Sequence, residues 1–279
     1  MNSRADQNRC RESLSCLLAG STSLSPRIAV LAAHPDDEAI GSSVLLSRSN
    51  HPIVIYVTDG APRDAKLWSP AFNGSREEYA AMRRAEAELA LSHVGVKQEQ
   101  IEWLGAVDQD AVFHSVELAQ NLAELLEQEC PDLLITHPYE GGHPDHDAAA
   151  LIAREALAQL NPEKAPMLLE MSSYYAREAQ CVTGEFLGAN AADEFRFQLT
   201  DQDRQRKRKM FDSYPSQRLV LTAFSTAEEH WRKAPDYDFT RPPHEGKLWY
   251  ECMGWATTGE AWRAAAAASM ATLQEHSCR

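Results

Sequence analysis

No run of about 18 consecutive apolar residues occurs in this chain of 279 residues, which removes the signature of a helical membrane span. Paired cysteines are missing too. Cys10, Cys16, Cys130, Cys181, Cys252 and Cys278 stand singly, with no CxxC pair and no spacing that forms a disulfide framework or a zinc finger. They read as reduced thiols, and the chain as cytoplasmic. Positive charge is scarce, with 27 Lys and Arg against 41 Asp and Glu, a net charge of −14 and a pI of about 5.2. Binding a nucleic-acid backbone or an anionic lipid surface draws its energy from Lys and Arg, so both partners are excluded. No GxGxxG follows the first apolar run, which removes the usual dinucleotide cradle. There is no internal repeat, and Ala264–Ala268 is the single low-complexity tract.

Hydrophobic content of 44% and charged content of 24% are those of an ordinary globular protein with ample core. Near the N-terminus, Arg4, Arg9 and Arg11 precede Leu14-Ser15-Cys16-Leu17-Leu18-Ala19-Gly20, which is too short and interrupted for a signal sequence. Residues 1–26 are expected to form a mobile arm, and residues 27–279 one domain.

From Arg27 to Ser172, short β-branched runs alternate with longer helical periods, the sequence form of βαβ units. Strands are expected at Arg27–Ala32, Ile53–Thr58, Ile101–Leu104, Leu133–Thr136 and Met167–Ser172. Helices are expected at Asp37–Ser49, Arg76–Val94, Ser115–Cys130 and Asp145–Leu160. The fold class is therefore α/β: a doubly wound, mostly parallel, Rossmann-like sheet with helices on both faces and strand order 3-2-1-4-5. Residues 27–172 form this βα core and 173–279 elaborate it, with a strand at Glu194–Leu199 and a helix at Asp201–Tyr214. The basic cluster Arg204, Arg206, Lys207, Arg208 and Lys209 reads as a solvated helix face.

Two short segments carry the chemistry. Ala33-His34-Pro35-Asp36-Asp37-Glu38 leaves the first strand, and Gly142-His143-Pro144-Asp145-His146 follows the fourth. If those strands are neighbours, both loops open into the crevice at the topological switch point, and His34, Asp37 and His146 meet. Two imidazoles and one carboxylate suit Zn²⁺, and three protein ligands leave positions open for water and substrate; Fe²⁺ is accepted by the same set. Of the adjacent acids, Asp37 binds the metal while Asp36 takes a proton from water. His143 stabilises the oxyanion or protonates the leaving amine, and Asp145 holds its ring. Any one of these residues alone reads as a cap or turn former, Asp37 and Asp145 especially, because carboxylates are favoured at helix starts. Two His-Pro-Asp turns after two apolar strands are not explained by capping.

The paired segments resemble the signature of the PIG-L/LmbE-like family of zinc-dependent N-acetylglucosaminyl deacetylases. The resemblance extends through Thr58-Asp59-Gly60, the helix bearing Arg83, Ala85 and Glu86, Gly95-Val96, Gly105 with Asp108, and Tyr214-Pro215-Ser216-Gln217. It implies zinc on His34, Asp37 and His146, Asp36 as general base and His143 as acid or electrophilic partner. It also implies an arginine near the sugar, either Arg63 or Arg83, and Asp108 on sugar hydroxyls. The bland alternative for Arg83 is an ion pair with Glu86 one turn on. Some family members carry a Tyr two residues before the first His of the second motif, where this chain has Gly141.

The implied activity is removal of the N-acetyl group from an amino-sugar conjugate, a small-molecule substrate. The alternatives are a metal-dependent amidase or esterase on another acylated conjugate, and a non-catalytic sugar- or nucleotide-binding module, which the carboxylates beside His34 disfavour because they repel phosphate. Trp68 and Phe72 either stack on a sugar or anchor the 59–74 loop. The acidic surface and aromatic tail would permit a homo-oligomer.

Overall fold

The computed structural model describes residues 4–19, 25–188 and 194–277. In chain order the helices are α1 (Arg4–Leu18), α2 (Asp37–Gly41), α3 (Ser43–Arg48), α4 (Arg76–Ser92), α5 (Ser115–Glu129), α6 (Pro144–Gln159), α7 (Asp201–Asp212), α8 (Arg218–Leu221), α9 (Trp249–Cys252) and α10 (Gly259–Ser277). The strands are β1 (Ile28–Ala32), β2 (Ile53–Thr58), β3 (Ile101–Ala106), β4 (Leu133–Thr136), β5 (Met167–Met171), β6 (Tyr174–Arg177), β7 (Gln180–Thr183), β8 (Glu194–Gln198) and β9 (Glu228–Lys233).

Seven strands form one sheet in the order β3-β2-β1-β4-β5-β9-β8, and β6 and β7 form a separate hairpin. The first five strands pair in parallel in the expected order; β9 joins β5 antiparallel and β8 joins β9 antiparallel. Strand β1 is buried on both faces, so its side chains serve two cores by the period of two. Ile28 and Val30 meet Leu14, Leu17, Leu45 and Leu91 on one face. Ala29 and Leu31 meet Leu122, Leu151 and Trp262 on the other. Among the described residues no helix is long and apolar enough to cross a membrane.

Three departures have physical causes. Where a mobile arm is expected, Arg4–Leu18 is helical and buries Cys10, Leu14, Leu17 and Leu18, a spacing of four, three and one that forms one helical stripe; residues 1–3 and 20–24 of that arm lie outside the described residues. The helix expected over Asp37–Ser49 breaks in two at Ser42. There the indole N–H of Trp231 donates to the Gly41 carbonyl at 2.8 Å, and a Cβ on Gly41 would stand 2.5 Å from the Met171 sulfur.

Lys207 does not belong to a solvated face. It is 0% exposed and donates to the Ile40 carbonyl at 2.6 Å and to Glu229 at 3.1 Å. The same pairing explains why β9 carries no apolar signal. Its charged residues are buried in partnership, Glu229 with Lys207 and Arg232 with Glu140 and Glu170, as buried charge requires.

Candidate metal centre

The parallel register of β1 and β4, with Val30 beside Ile135, sends the loops after both strands out side by side. The main-chain N–H of Ala33 donates across the gap to His137 Nε2 at 3.1 Å. Beyond it, His34, Asp37 and His146 bring their metal-capable atoms within 4.8 Å of one another, all three buried. His34 Nδ1 is 3.4 Å from Asp37 Oδ2 and His146 Nε2 is 3.2 Å from Asp37 Oδ1. Two atoms about 2.0–2.1 Å from one tetrahedral zinc lie roughly 3.4 Å apart, so these separations fit a shared cation.

The outer nitrogens fit as well. His34 Nε2 meets Asp145 Oδ2 at 3.2 Å, and His146 Nδ1 meets Ser173 Oγ at 3.1 Å. Each imidazole thus has one nitrogen anchored and the other turned to Asp37, the arrangement by which proteins orient metal-binding histidines. Charge points the same way. Burial alone would depress the His34 imidazole, but the carboxylates of Asp108, Asp145 and Asp37 raise its pKa well above the ordinary value. Burial would likewise lift Asp37, yet His146 and His137 hold its pKa well below the usual carboxylate range. Burial, reinforced by His137, lowers the His146 pKa to about 3, so that ring is neutral beside an ionised Asp37, and a neutral imidazole and a carboxylate are the forms in which these side chains bind a divalent cation.

A second group of buried side chains, His34, Asp108, His143 and Asp145, shares His34. Asp145 is already committed there, accepting from the main-chain N–H of Gln109 at 2.5 Å and of Ala111 at 3.2 Å. Its carboxylate stands 3.9 Å from His143 Nδ1. It therefore holds the ring of His34 rather than that of His143, which corrects the sequence reading. His143 is fixed instead as the N-cap of α6: its Nδ1 accepts from the Asp145 N–H at 3.1 Å, with Pro144 at the first helical position. Nε2 then carries the proton. Burial, reinforced by His34 and His146, drives the His143 pKa well below the ordinary value, so the ring is a neutral donor.

Asp36 occupies a backbone conformation rare for a residue with a Cβ, φ 121°. Glu38 clamps it there. One oxygen of the Glu38 carboxylate accepts from the Asp36 N–H at 3.0 Å, and the other accepts from the Tyr214 hydroxyl at 2.6 Å. Arg83, 2% exposed, donates to the Pro35 carbonyl and lies 3.3 Å from Asp36 Oδ2. Its contact with Glu86 is longer, 3.8 Å, because Glu86 is taken up by the main-chain N–H of Ser216 at 2.9 Å and by the Ser216 hydroxyl. Burial raises the Asp36 pKa to about 7, with Arg83 opposing and Asp37 reinforcing the shift.

These residues floor a cleft of about 200 Å³. Asp108 is in it, with Oδ1 buried and unpartnered, 3.6 Å from His34 Nε2 and 3.8 Å from His143 Nε2. Arg63 does not line the cleft; it is exposed and pairs with Asp110 at 2.8 Å. Trp68 and Phe72 anchor the 59–74 loop, packing on Tyr79 with ring centroids 5.2 and 5.0 Å away. Gly141, at φ +70°, packs against Leu248, which a Cβ would meet at 2.6 Å.

Sequence reasoning missed His137, whose ring stacks on His146 at 3.9 Å, and the roles of Glu38 and Ser173. Glu38 and His137 lie inside or beside the motifs; Ser173 arrives only with the end of β5, and no local signal marks it.

Residues 29–157 match the family model described as PIG-L, GlcNAc-PI de-N-acetylase. A Bacillus subtilis (strain 168) protein, described as probable N-acetyl-alpha-D-glucosaminyl L-malate deacetylase 2, is 28% identical over 155 residues, 54% of this chain and 69% of that protein. A deacetylase of the teicoplanin biosynthesis pathway, solved as its bog complex, shares the fold with TM-score 0.54 and 17% identity over 76% of this chain and all of that one. The 4-carboxy-2-hydroxymuconate hydratase GalB of Pseudomonas putida KT2440 shares it too, with TM-score 0.50 and 15% identity over 76% of this chain and 98% of that one. Fold alone therefore does not select the reaction.

Proposed function

We propose, for a chain whose residues 29–157 belong to the PIG-L/LmbE-like deacetylase family, that it is a zinc-dependent hydrolase releasing acetate and a free amine from an N-acetylglucosamine-type conjugate. The observation that carries this reading is the convergence of His34, Asp37 and His146 on one point with a second, separately held carboxylate, Asp36, beside them. A phosphate cradle has no use for two adjacent acids; metal-dependent amide hydrolysis uses one to hold the metal and one to move a proton.

His34 Nδ1, Asp37 and His146 Nε2 would hold the cation, whose Lewis acidity would act on the acetyl carbonyl and lower the pKa of water. Asp36, held by Arg83 and Glu38, accepts the proton of the attacking water. A base with a pKa of about 7 is matched to that task near neutral pH. The Nε2–H of His143 donates to the oxygen on which negative charge develops, a contact that strengthens as the carbonyl becomes tetrahedral. The proton on Asp36 then passes to the leaving nitrogen. Asp108, with an unpartnered buried oxygen, accepts from a substrate hydroxyl. Arg83 acts through Asp36 as a positioning residue. We read 27–279, with α1 packed into its core, as one catalytic unit operating in the cytoplasm.

The experiment is acetate release from methyl N-acetylglucosaminide. Activity is expected to vanish with chelator and to return with Zn²⁺. Hydrolysis that survives complete metal removal, or the absence of acetate from every N-acetyl amino sugar offered to zinc-loaded protein, would overturn the reading.

A further inference from the structure

Six large apolar side chains stand exposed among the described residues: Leu67, Leu89, Phe113, Leu219, Val220 and Met253. Three of them, Leu67 at 39%, Val220 at 49% and Met253 at 51%, line the same cleft as the His and Asp cluster. Leu219, the neighbour of Val220, is 78% exposed. Phe224 and Trp255 line the cleft with them, and Trp255 packs on His143 at 4.7 Å. These side chains come from three separate stretches, the 59–74 loop, the segment from α8 to Phe224, and the turn after α9. Apolar side chains scattered singly over a surface need no explanation, but a collar assembled from three loops around one opening does.

We infer that this collar binds an alkyl or aryl aglycone of the substrate, so that the preferred N-acetylglucosaminide is an amphiphile. The inference rests on the deacetylase reading for the orientation of the substrate. An N-acetyl group that reaches the buried His143 and Asp36 leaves the remainder of the molecule toward the exposed part of the lining, where Leu67, Val220 and Met253 stand beside the half-buried Gln109 and Gln217. The sugar hydroxyls have their own polar partner lower down in Asp108. A polar aglycone would leave Leu67, Val220 and Met253 facing water and would gain nothing from them.

Each methylene transferred from water to such a surface is worth about fourfold in affinity. Octyl N-acetylglucosaminide, with seven more methylenes than the methyl glycoside, is expected to bind on the order of fiftyfold more tightly if about three are covered. The test measures the dissociation constants of both glycosides by calorimetry on zinc-loaded Asp36→Asn protein, in which turnover is suppressed, and acetate release by the wild type in parallel. Val220→Asn combined with Met253→Gln is expected to reduce the octyl-to-methyl affinity ratio to less than about fivefold. Equal affinity for the two glycosides, or a ratio the double variant does not change, would overturn the collar assignment, including the case in which a second copy of the chain covers these residues. Tight octyl binding with no acetate released would leave the collar standing and refute the hydrolytic reading instead.

Discussion

Asp145 Oδ2 lies 3.2 Å from His34 Nε2, on the side of the ring away from Asp37. The same carboxylate ties down the main chain at Gln109 and Ala111, so one residue links the second motif, the first motif and the loop carrying Asp108. Asp145→Asn keeps the volume but replaces a charged acceptor with an amide. Metal affinity is expected to fall about 10- to 100-fold, read by competition with a calibrated zinc chelator. Unchanged zinc affinity would show that Asp145 serves only the Gln109–Ala111 loop.

Asp36→Asn separates proton transfer from metal binding. Asp36 has its nearest charged partner in Arg83, not in the His cluster. The variant is expected to retain one zinc per chain by metal analysis while kcat for acetate release falls by about 10²- to 10⁴-fold, the range of a lost general base. A variant that lost metal and activity together would make Asp36 a ligand.

The parallel core was legible because β1, β2 and β4 are apolar but for Tyr56, Thr58 and Thr136 and are separated by helical periods, and their order is the common one of doubly wound sheets. His34, Asp37 and His146 were legible for a related reason, since their motifs sit directly on those strand ends. What stayed hidden depended on partners distant in sequence. Strand β9 reads as charged, and only Lys207, Glu140 and Glu170 make its burial tolerable. Arg63 and Arg83 carry the same charge near the same loop, and nothing local tells that one faces Asp110 and the other Asp36. The role of Asp145 was misjudged because His143 is its near neighbour in sequence, whereas its carboxylate is spent on residues 34, 109 and 111.

Tyr214→Phe tests the clamp on Asp36. The hydroxyl donates to Glu38 at 2.6 Å in a fully buried setting, and its loss leaves a carboxylate oxygen without that donor. Stability in urea is expected to drop by about 1–3 kcal/mol. Because Glu38 also holds the Asp36 N–H, kcat is expected to fall with KM little changed. A stability loss with full kcat would confine Tyr214 to packing.

Glu140 links stability to pH at a distance from the metal-capable cluster. Burial, opposed by Arg232 and reinforced by Glu170, raises its pKa from 4.5 to about 8. Between those values the folded chain keeps a proton that the unfolded chain has released, so raising pH favours unfolding. Its stabilising contribution is complete below about pH 4.5 and is lost as pH rises through about 8. Glu140→Gln keeps an acceptor for the Leu187 N–H and for Arg232 but cannot titrate. The wild type is therefore expected to lose ground to the variant by up to about 1.4 kcal/mol per pH unit between pH 5 and 8, measured by urea unfolding at each pH. Parallel profiles for the two proteins would mean that Arg232 keeps Glu140 ionised throughout, and that this buried pair contributes nothing to the pH dependence of stability.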